Sequence, residues 1–484
     1  MNGDVLKNFV NGQWEEPRGV DTLPLVNPAT GERLAQVPLT NRDQLNQAVK
    51  AAKDAFEDWR DVPAIERARY LFRYKALLDE HKEELARTLT KEHGKTLAEA
   101  RGSIRRGIEN VEHACGIPAL MQGTSLSDIS PGIDCKTIRQ PLGVYAAITP
   151  FNFPAMVPLW FWPYAVATGN TFILKPSEKV PLSQQFQFEL IEQAGFPKGV
   201  LSMVHGTKEV AEGLVEHPDV QGISFVGSTA IARKVYERAS SLGKRVQALG
   251  GAKNHVVIMP DAVEEPTVNA VVDSAFGCGG QRCLAASVAV LVGDAYDKFK
   301  DKLVERASEF KLGNGLDEGV TLGPVICAGS RDRILSYIEK GVQDGAKILL
   351  DGRKAAVEGY PDGEWVGPTI FDEVTDDMAI YKEEIFGPVL ALRKAKNLDE
   401  ALSMVQSSEY ANATAIFTSD GGAARKYQTE SGVSMVGVNV GVAAPMAFFP
   451  FGGTKSSFFG DVKAHGDDSI RFFTDAKVVM SRWF

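Results

Sequence analysis

Apolar residues recur at helical spacing over residues 43–58 and 64–90, with Leu45, Ala48, Val49, Ala52 and Phe56 on one stripe. The N-terminal quarter is therefore predicted to be mostly helical. From Lys136 the pattern changes. Short β-branched runs (VYAAIT, TFILK, LSMVH, GISFVG, HVVIM) alternate with helical stretches such as PLSQQFQFELIEQAG and STAIARKVYERASSL. This alternation predicts a parallel sheet with helices on both faces. A second series near Glu265 runs helix PTVNAVVDSAFG, strand SVAVLVG, helix AYDKFKDKLVERASE, so a second α/β unit is expected from about residue 252. Residues 120–141 lack helical period and the C-terminal RFFTDAKVVMSRWF alternates like a strand, which predicts a small third sheet.

A length of 484 residues fits two or three packed units. With 44% apolar and 24% charged residues the chain reads as soluble and globular, and disorder, collagen and coiled coil are excluded. Lys and Arg number 53 against 62 Asp and Glu. An excess of negative charge leaves no basic footprint for nucleic acid, so a small-molecule partner is expected. The five cysteines form no CxxC pair and predict neither a disulfide framework nor a metal site. The N-terminus has no apolar run behind basic residues, and the longest apolar stretch, 155–167, falls short of the about 18 residues of a membrane span. A cytoplasmic enzyme without membrane contact is the expectation.

No GxGxxG follows any strand. In GISFVGSTAIARK, Ser228 or Thr229 is placed to cap a helix whose first amides could face a phosphate, although an ordinary βα turn reads the same way. Lys175 and Glu178 after TFILK are candidates for ribose hydroxyls, or are plain loop charges. Cys283 lies in FGCGGQRCLAAS, where glycines allow close backbone approach and Arg282 places a positive charge beside the thiol. That setting marks Cys283 as a candidate nucleophile and leaves Cys278 as a packing residue.

Taken together, TPFNFP (149–154), GNTFILKPSE (169–178), FVGS (225–228), GQRC (280–283), EEIFGPV (383–389) and PFGGTKSS (450–457) resemble the aldehyde dehydrogenase superfamily over nearly the whole chain, in the family's order. The resemblance implies two doubly wound α/β domains plus a small β oligomerisation domain. Residues 1–119 and 142–251 would bind NAD, 252–464 would form the catalytic domain, and 120–141 with 465–484 would supply oligomerisation strands of a dimer or tetramer. It implies Cys283 as nucleophile, with the Asn152 side chain and the Cys283 backbone N–H as oxyanion hole. Phe151, Lys175, Glu178, Ser228, Glu384 and Phe386 would bind the cofactor. Glu178 would repel a 2′-phosphate and favour NAD over NADP.

Hydrolytic members of that family carry a glutamate in an ELGGK-type segment that activates water. Here the stretch reads QALGGAKNH, and neither Ala248 nor Leu249 can accept a proton. A general base contributes about 10² to 10⁴-fold, so water should attack the acyl-enzyme poorly, whereas a thiol needs no strong base. The chain is similar to the CoA-acylating methylmalonate-semialdehyde dehydrogenases in TPFNFPAMVPLWFWPYA, GAKNH, GQRC and PFGGTKSSFFGD. This implies coenzyme A as acyl acceptor, with Arg282 and Arg106 gripping a substrate carboxylate, although Arg101, Arg105 and Arg106 also read as a solvated helix face. The implied products are an acyl-CoA, CO2 and NADH. A hydrolytic enzyme using Glu384, a lapsed binding protein and a thiol hydrolase are the alternatives, and malonate and methylmalonate semialdehyde stay undivided.

Overall fold

A computed structural model describes residues 4–17 and 19–484. The expected helical N-terminal quarter is the trio Arg42–Trp59, Ala64–His93 and Leu97–Cys115. Asn41 and Thr96 each close a capping box with the side chain three residues on, which satisfies the first amides of the outer two helices. Leu45, Ala48, Val49 and Ala52 are buried as the stripe requires, while Phe56 is only half-buried and Trp59 completes the face. Ahead of these helices the chain adds two hairpins that the sequence did not announce, because strands of three residues such as Asn8–Val10 and Gln13–Glu15 are too short to show a period.

Five strands of the first sheet run parallel in the spatial order Leu201–Met203, Thr171–Lys175, Val144–Ile148, Val220–Val226, Arg245–Leu249. Order reverses between Val144–Ile148 and Val220–Val226, the switch point at which open α/β sheets present their ligand crevice at the strands' carboxyl ends. Buried on both faces, these strands read as continuous apolar runs rather than alternating ones. The second sheet is seven-stranded. It is centred on Asn254–Ile258, Ala286–Val292, Val389–Ala395 and Ala413–Phe417, all parallel, with Lys347–Leu350 antiparallel at one edge.

Ser125–Ser130, Ile133–Pro141 and Thr474–Arg482 form the third sheet, with Thr474 opposite Pro141 and Arg482 opposite Ile133. Two stretches depart from the expected division. The segment 465–484 is not all strand: Gly466–Phe473 is a helix whose Ile470, Phe472 and Phe473 are buried, the last two against Tyr145 of the first sheet. Its apolar face outweighs the strand-like alternation of the sequence. Within 252–464, Phe458–Phe459 returns to the first sheet and pairs antiparallel with Leu249 and Ala248. Among the described residues no helix is long and apolar enough to cross a membrane.

Candidate active site

The carboxyl ends of the first sheet meet the amino ends of the second. Strand 144–148 runs into Thr149–Asn152, and strand 171–175 ends at Lys175. From the other side come Asn254, at the start of its strand, and the loops carrying Cys283, Glu384 and Asn412, each just ahead of a second-sheet strand. The two edges touch where the Asn152 side-chain amide donates to the Gln281 carbonyl at 3.1 Å and where the Phe151 and Phe386 rings meet edge to face at 5.8 Å.

Cys283 follows a tight turn, Gly277–Gly280, in which Cys278, Gly279 and Gly280 all have positive φ. A Cβ on Gly280 would lie 2.1 Å from the Gly387 carbonyl oxygen, so the turn can press against that loop only as glycine. The Cys283 carbonyl then accepts from the side-chain amides of Asn254 and Asn412, both at 2.9 Å. Two residues 158 positions apart in sequence thus fix the Cys283 backbone, which no local motif could have announced. Lys95, buried and 57 residues upstream just past helix Ala64–His93, donates to the Asn152 carbonyl at 2.6 Å and lies over the Phe153 ring.

Burial pushes the Cys283 thiol up to about 11, and the Glu384 charge adds to this. The Cys283 and Leu284 backbone N–H groups and the Asn152 amide pull the other way, being donors to sulfur. The expectation that Arg282 activates Cys283 is therefore corrected. The Arg282 guanidinium folds over Gly277 and acts on the Cys278 thiol instead. Cys278 is buried but is more than packing: burial raises its thiol while Arg282 and Lys95 lower it, and its backbone N–H donates to Glu99 at 2.6 Å.

Cys283 opens into a cavity of about 560 Å³ whose walls include Phe153, Met156, Trp160, Phe451, Arg282 and Arg106. Both arginines expected on the substrate side thus line the cavity onto which Cys283 opens. Each is met by a carboxylate, Arg106 by Glu109 at 2.7 Å and Arg282 by Glu99 at 3.4 Å. Helix 97–115 does not present its arginines alike: the Arg105 side chain is 84% exposed, whereas Arg106 is 29% exposed and donates to the Pro445 carbonyl. His465 lines the same cavity and was not singled out in the sequence, since it lies 182 residues from Cys283.

On the opposite side, Lys175 is buried and its Nζ meets Glu178 at 3.0 Å. Burial alone would raise the Glu178 carboxyl, but Lys175 and nearby hydrogen bonds outweigh it and the group ends below its ordinary value. Glu384 goes the other way: burial lifts it to about 7 although the Ala252 N–H donates to it at 2.9 Å. Phe151 stacks on His93 and carries Lys179 over its face. Ser228 occupies the cap position of helix Thr229–Ser241 but makes no side-chain capping bond, contrary to expectation. Thr229 does not cap either: its hydroxyl accepts from the Gly251 N–H at 2.8 Å and donates to the Ser456 carbonyl, tying the helix start to the neighbouring loops. A half-buried cation–carboxylate pair suited to vicinal hydroxyls, a helix start without a side-chain cap and Glu384 packed against Gly251, where a Cβ would lie 2.4 Å from its carboxylate, form a donor and acceptor set that fits a dinucleotide.

At the position expected for a water-activating glutamate stand Ala248 and Leu249, both buried in the strand that pairs with Phe458–Phe459. Glu384 is the carboxylate whose charge reaches the Cys283 sulfur.

The aldehyde dehydrogenase family model matches residues 14–479. Malonate-semialdehyde dehydrogenase 2 of Geobacillus kaustophilus (strain HTA426) is 52% identical over 480 residues, covering 99% of each chain. The malonate-semialdehyde dehydrogenase of Halalkalibacterium halodurans is 50% identical over 481 residues, again 99% of each. Among solved structures, a putative methylmalonate-semialdehyde dehydrogenase from Sinorhizobium meliloti 1021, complexed with NAD, superposes with a TM-score of 0.97 at 44% identity, covering 99% of this chain and 98% of that one. The methylmalonate-semialdehyde dehydrogenase of Oceanimonas doudoroffii gives the same TM-score and identity. The chain belongs to the aldehyde dehydrogenase family and has its fold.

Proposed function

We propose that the protein is an NAD-dependent, CoA-acylating semialdehyde dehydrogenase that converts malonate or methylmalonate semialdehyde to acetyl-CoA or propionyl-CoA, CO2 and NADH. The observation that carries this reading is the pairing of two features at Cys283: a cavity holding Arg106 and Arg282, and apolar residues where a water-activating glutamate would stand. The names borne by relatives 50 to 52% identical support the substrate class.

Cys283 sulfur adds to the aldehyde carbon, and the carbonyl oxygen becomes an oxyanion that Asn152 and the Cys283 N–H stabilise. Arg106 and Arg282 orient the substrate by its carboxylate, which brings the aldehyde end to the sulfur. NAD, when bound by Lys175, Glu178, Ser228 and Glu384 beside Phe151 and Phe386, supplies the acceptor for the hydride. The resulting Cys283 thioester carries a carboxylate β to its carbonyl. Loss of CO2 leaves an electron pair delocalised onto the thioester oxygen, in the same oxyanion hole, and a proton then adds at carbon. The CoA thiolate attacks the thioester, releasing acyl-CoA and restoring Cys283. Glu178, held ionised by Lys175, disfavours a cofactor 2′-phosphate. The exposed Leu126, Ile138, Val478 and Met480 of the third sheet support association of two or four copies through it.

The test is NADH formation from malonate and methylmalonate semialdehyde with and without CoA, with product identification. CoA-dependent turnover to an acyl-CoA is expected. Steady NADH without CoA, yielding free acid, would overturn the acylating reading in favour of hydrolysis assisted by Glu384.

A further inference from the structure

His465 is the least expected residue of the cavity that opens from Cys283. It is 3% exposed, and neither ring nitrogen has a hydrogen-bond partner among the described residues. A buried imidazole with both nitrogens idle is uncommon, because each forfeits the water it would otherwise bind. Its backbone is strained as well. At φ 70° and ψ 168° it occupies a region that is essentially reserved for glycine.

The neighbouring chain imposes this geometry. Ala464 exchanges both backbone hydrogen bonds with Phe451, at 2.7 and 3.1 Å, and the Gly466 N–H donates to the Ala447 carbonyl at 2.9 Å. Clamped before and after, residue 465 sets its ring against Trp160 at 4.9 Å and Phe451 at 5.4 Å, both cavity walls. Burial, with the Arg106 charge second, holds the imidazole neutral, down to about 3. A neutral imidazole keeps one N–H to donate.

We infer that His465 is a substrate-binding residue whose ring N–H donates to an oxygen of the substrate carboxylate, beside Arg106 and Arg282. The inference rests on the proposed semialdehyde reading and deepens it, by adding an uncharged contact to two charged ones. Such a contact holds a carboxylate less tightly than a third cation would, which suits a group that must depart as CO2. It also leaves the paired Arg106–Glu109 and Arg282–Glu99 charges undisturbed.

The test compares wild type with His465→Gly, His465→Leu and His465→Asn, using malonate semialdehyde and the carboxylate-free propanal at saturating NAD and CoA. The glycine and leucine variants are expected to raise KM for malonate semialdehyde about tenfold or more and to leave kcat/KM for propanal within about twofold. The asparagine variant, with an amide donor, should recover part of that loss. Glycine suits the φ of 70°, so this variant should melt no lower than wild type and remains informative if the leucine variant does not fold. An unchanged KM for malonate semialdehyde in the folded glycine variant, or an equal loss with both aldehydes, would overturn the inference. A wild type that shows no preference for the carboxylated aldehyde would overturn the underlying substrate reading and this inference with it, and that result is visible without any variant.

Discussion

The two sides of the Cys283 loop are built differently. On the side of Lys175, Glu178 and Glu384, charges sit within a few residues of strand ends, and the Lys175–Glu178 pair lies inside one turn of chain. On the side of Arg106, Arg282 and His465, the walls come from a helix, a glycine turn and two distant loops, and each arginine already has a carboxylate partner. The first arrangement suits a ligand that is the same in every turnover. The second places specificity in contacts that can be exchanged singly, because no two of them share a segment.

Breaking the element common to both sides should have the largest effect. Cys283→Ala is expected to remove at least about 10⁴-fold of NADH formation with either semialdehyde, measured at saturating CoA. On the proposed mechanism, in which its amide serves the oxyanion rather than the ground state, Asn152→Ala should cost about 10² to 10³-fold in kcat with little change in KM. Arg282→Gln should lower kcat/KM for malonate semialdehyde by about 10²-fold and affect propanal much less, which separates the substrate side from the shared centre.

Glu384→Gln probes how far the other side reaches. The Glu384 charge is one of the two influences that raise the Cys283 thiol to about 11, so its removal must lower that value. The rate of Cys283 alkylation by iodoacetamide, which follows the thiolate, should therefore rise at lower pH in the variant than in wild type. The difference should vanish below about pH 7, where wild-type Glu384 is itself protonated. An identical alkylation profile at pH 8 to 10 would show that the two sides are electrically independent. The smallest effect is expected for Ser228→Ala. Because Ser228 makes no capping bond, stability should stay within about 0.5 kcal/mol of wild type in denaturant unfolding.

What could be read from the sequence follows the same division. The strand–helix alternation of 144–258 is strongly periodic and gave the parallel sheet, and Cys283 stood out because glycine and arginine surround it. Arg282 shows the limit of adjacency. Positive φ at Cys278, Gly279 and Gly280 turns the chain so that the guanidinium reaches the Cys278 thiol, and a neighbour in sequence becomes another thiol's partner. Asn412 and His465 were silent because each meets the Cys283 loop or its cavity across more than 100 residues of chain, Lys95 because its partner Asn152 lies 57 residues on, and Asn254 because its polar side chain is hidden at the head of an apolar strand. Phe458–Phe459, two residues long, carries no period at all.

That two-residue return strand bears on how the protein is made. As the polypeptide leaves the ribosome, the edge at Ala248–Leu249 stays open until some 210 further residues have been synthesised, and Tyr145 waits still longer for Phe472 and Phe473. The first sheet thus keeps an unpaired border while nearly all of the second is being made, and that border is a part of the nascent chain in need of a chaperone.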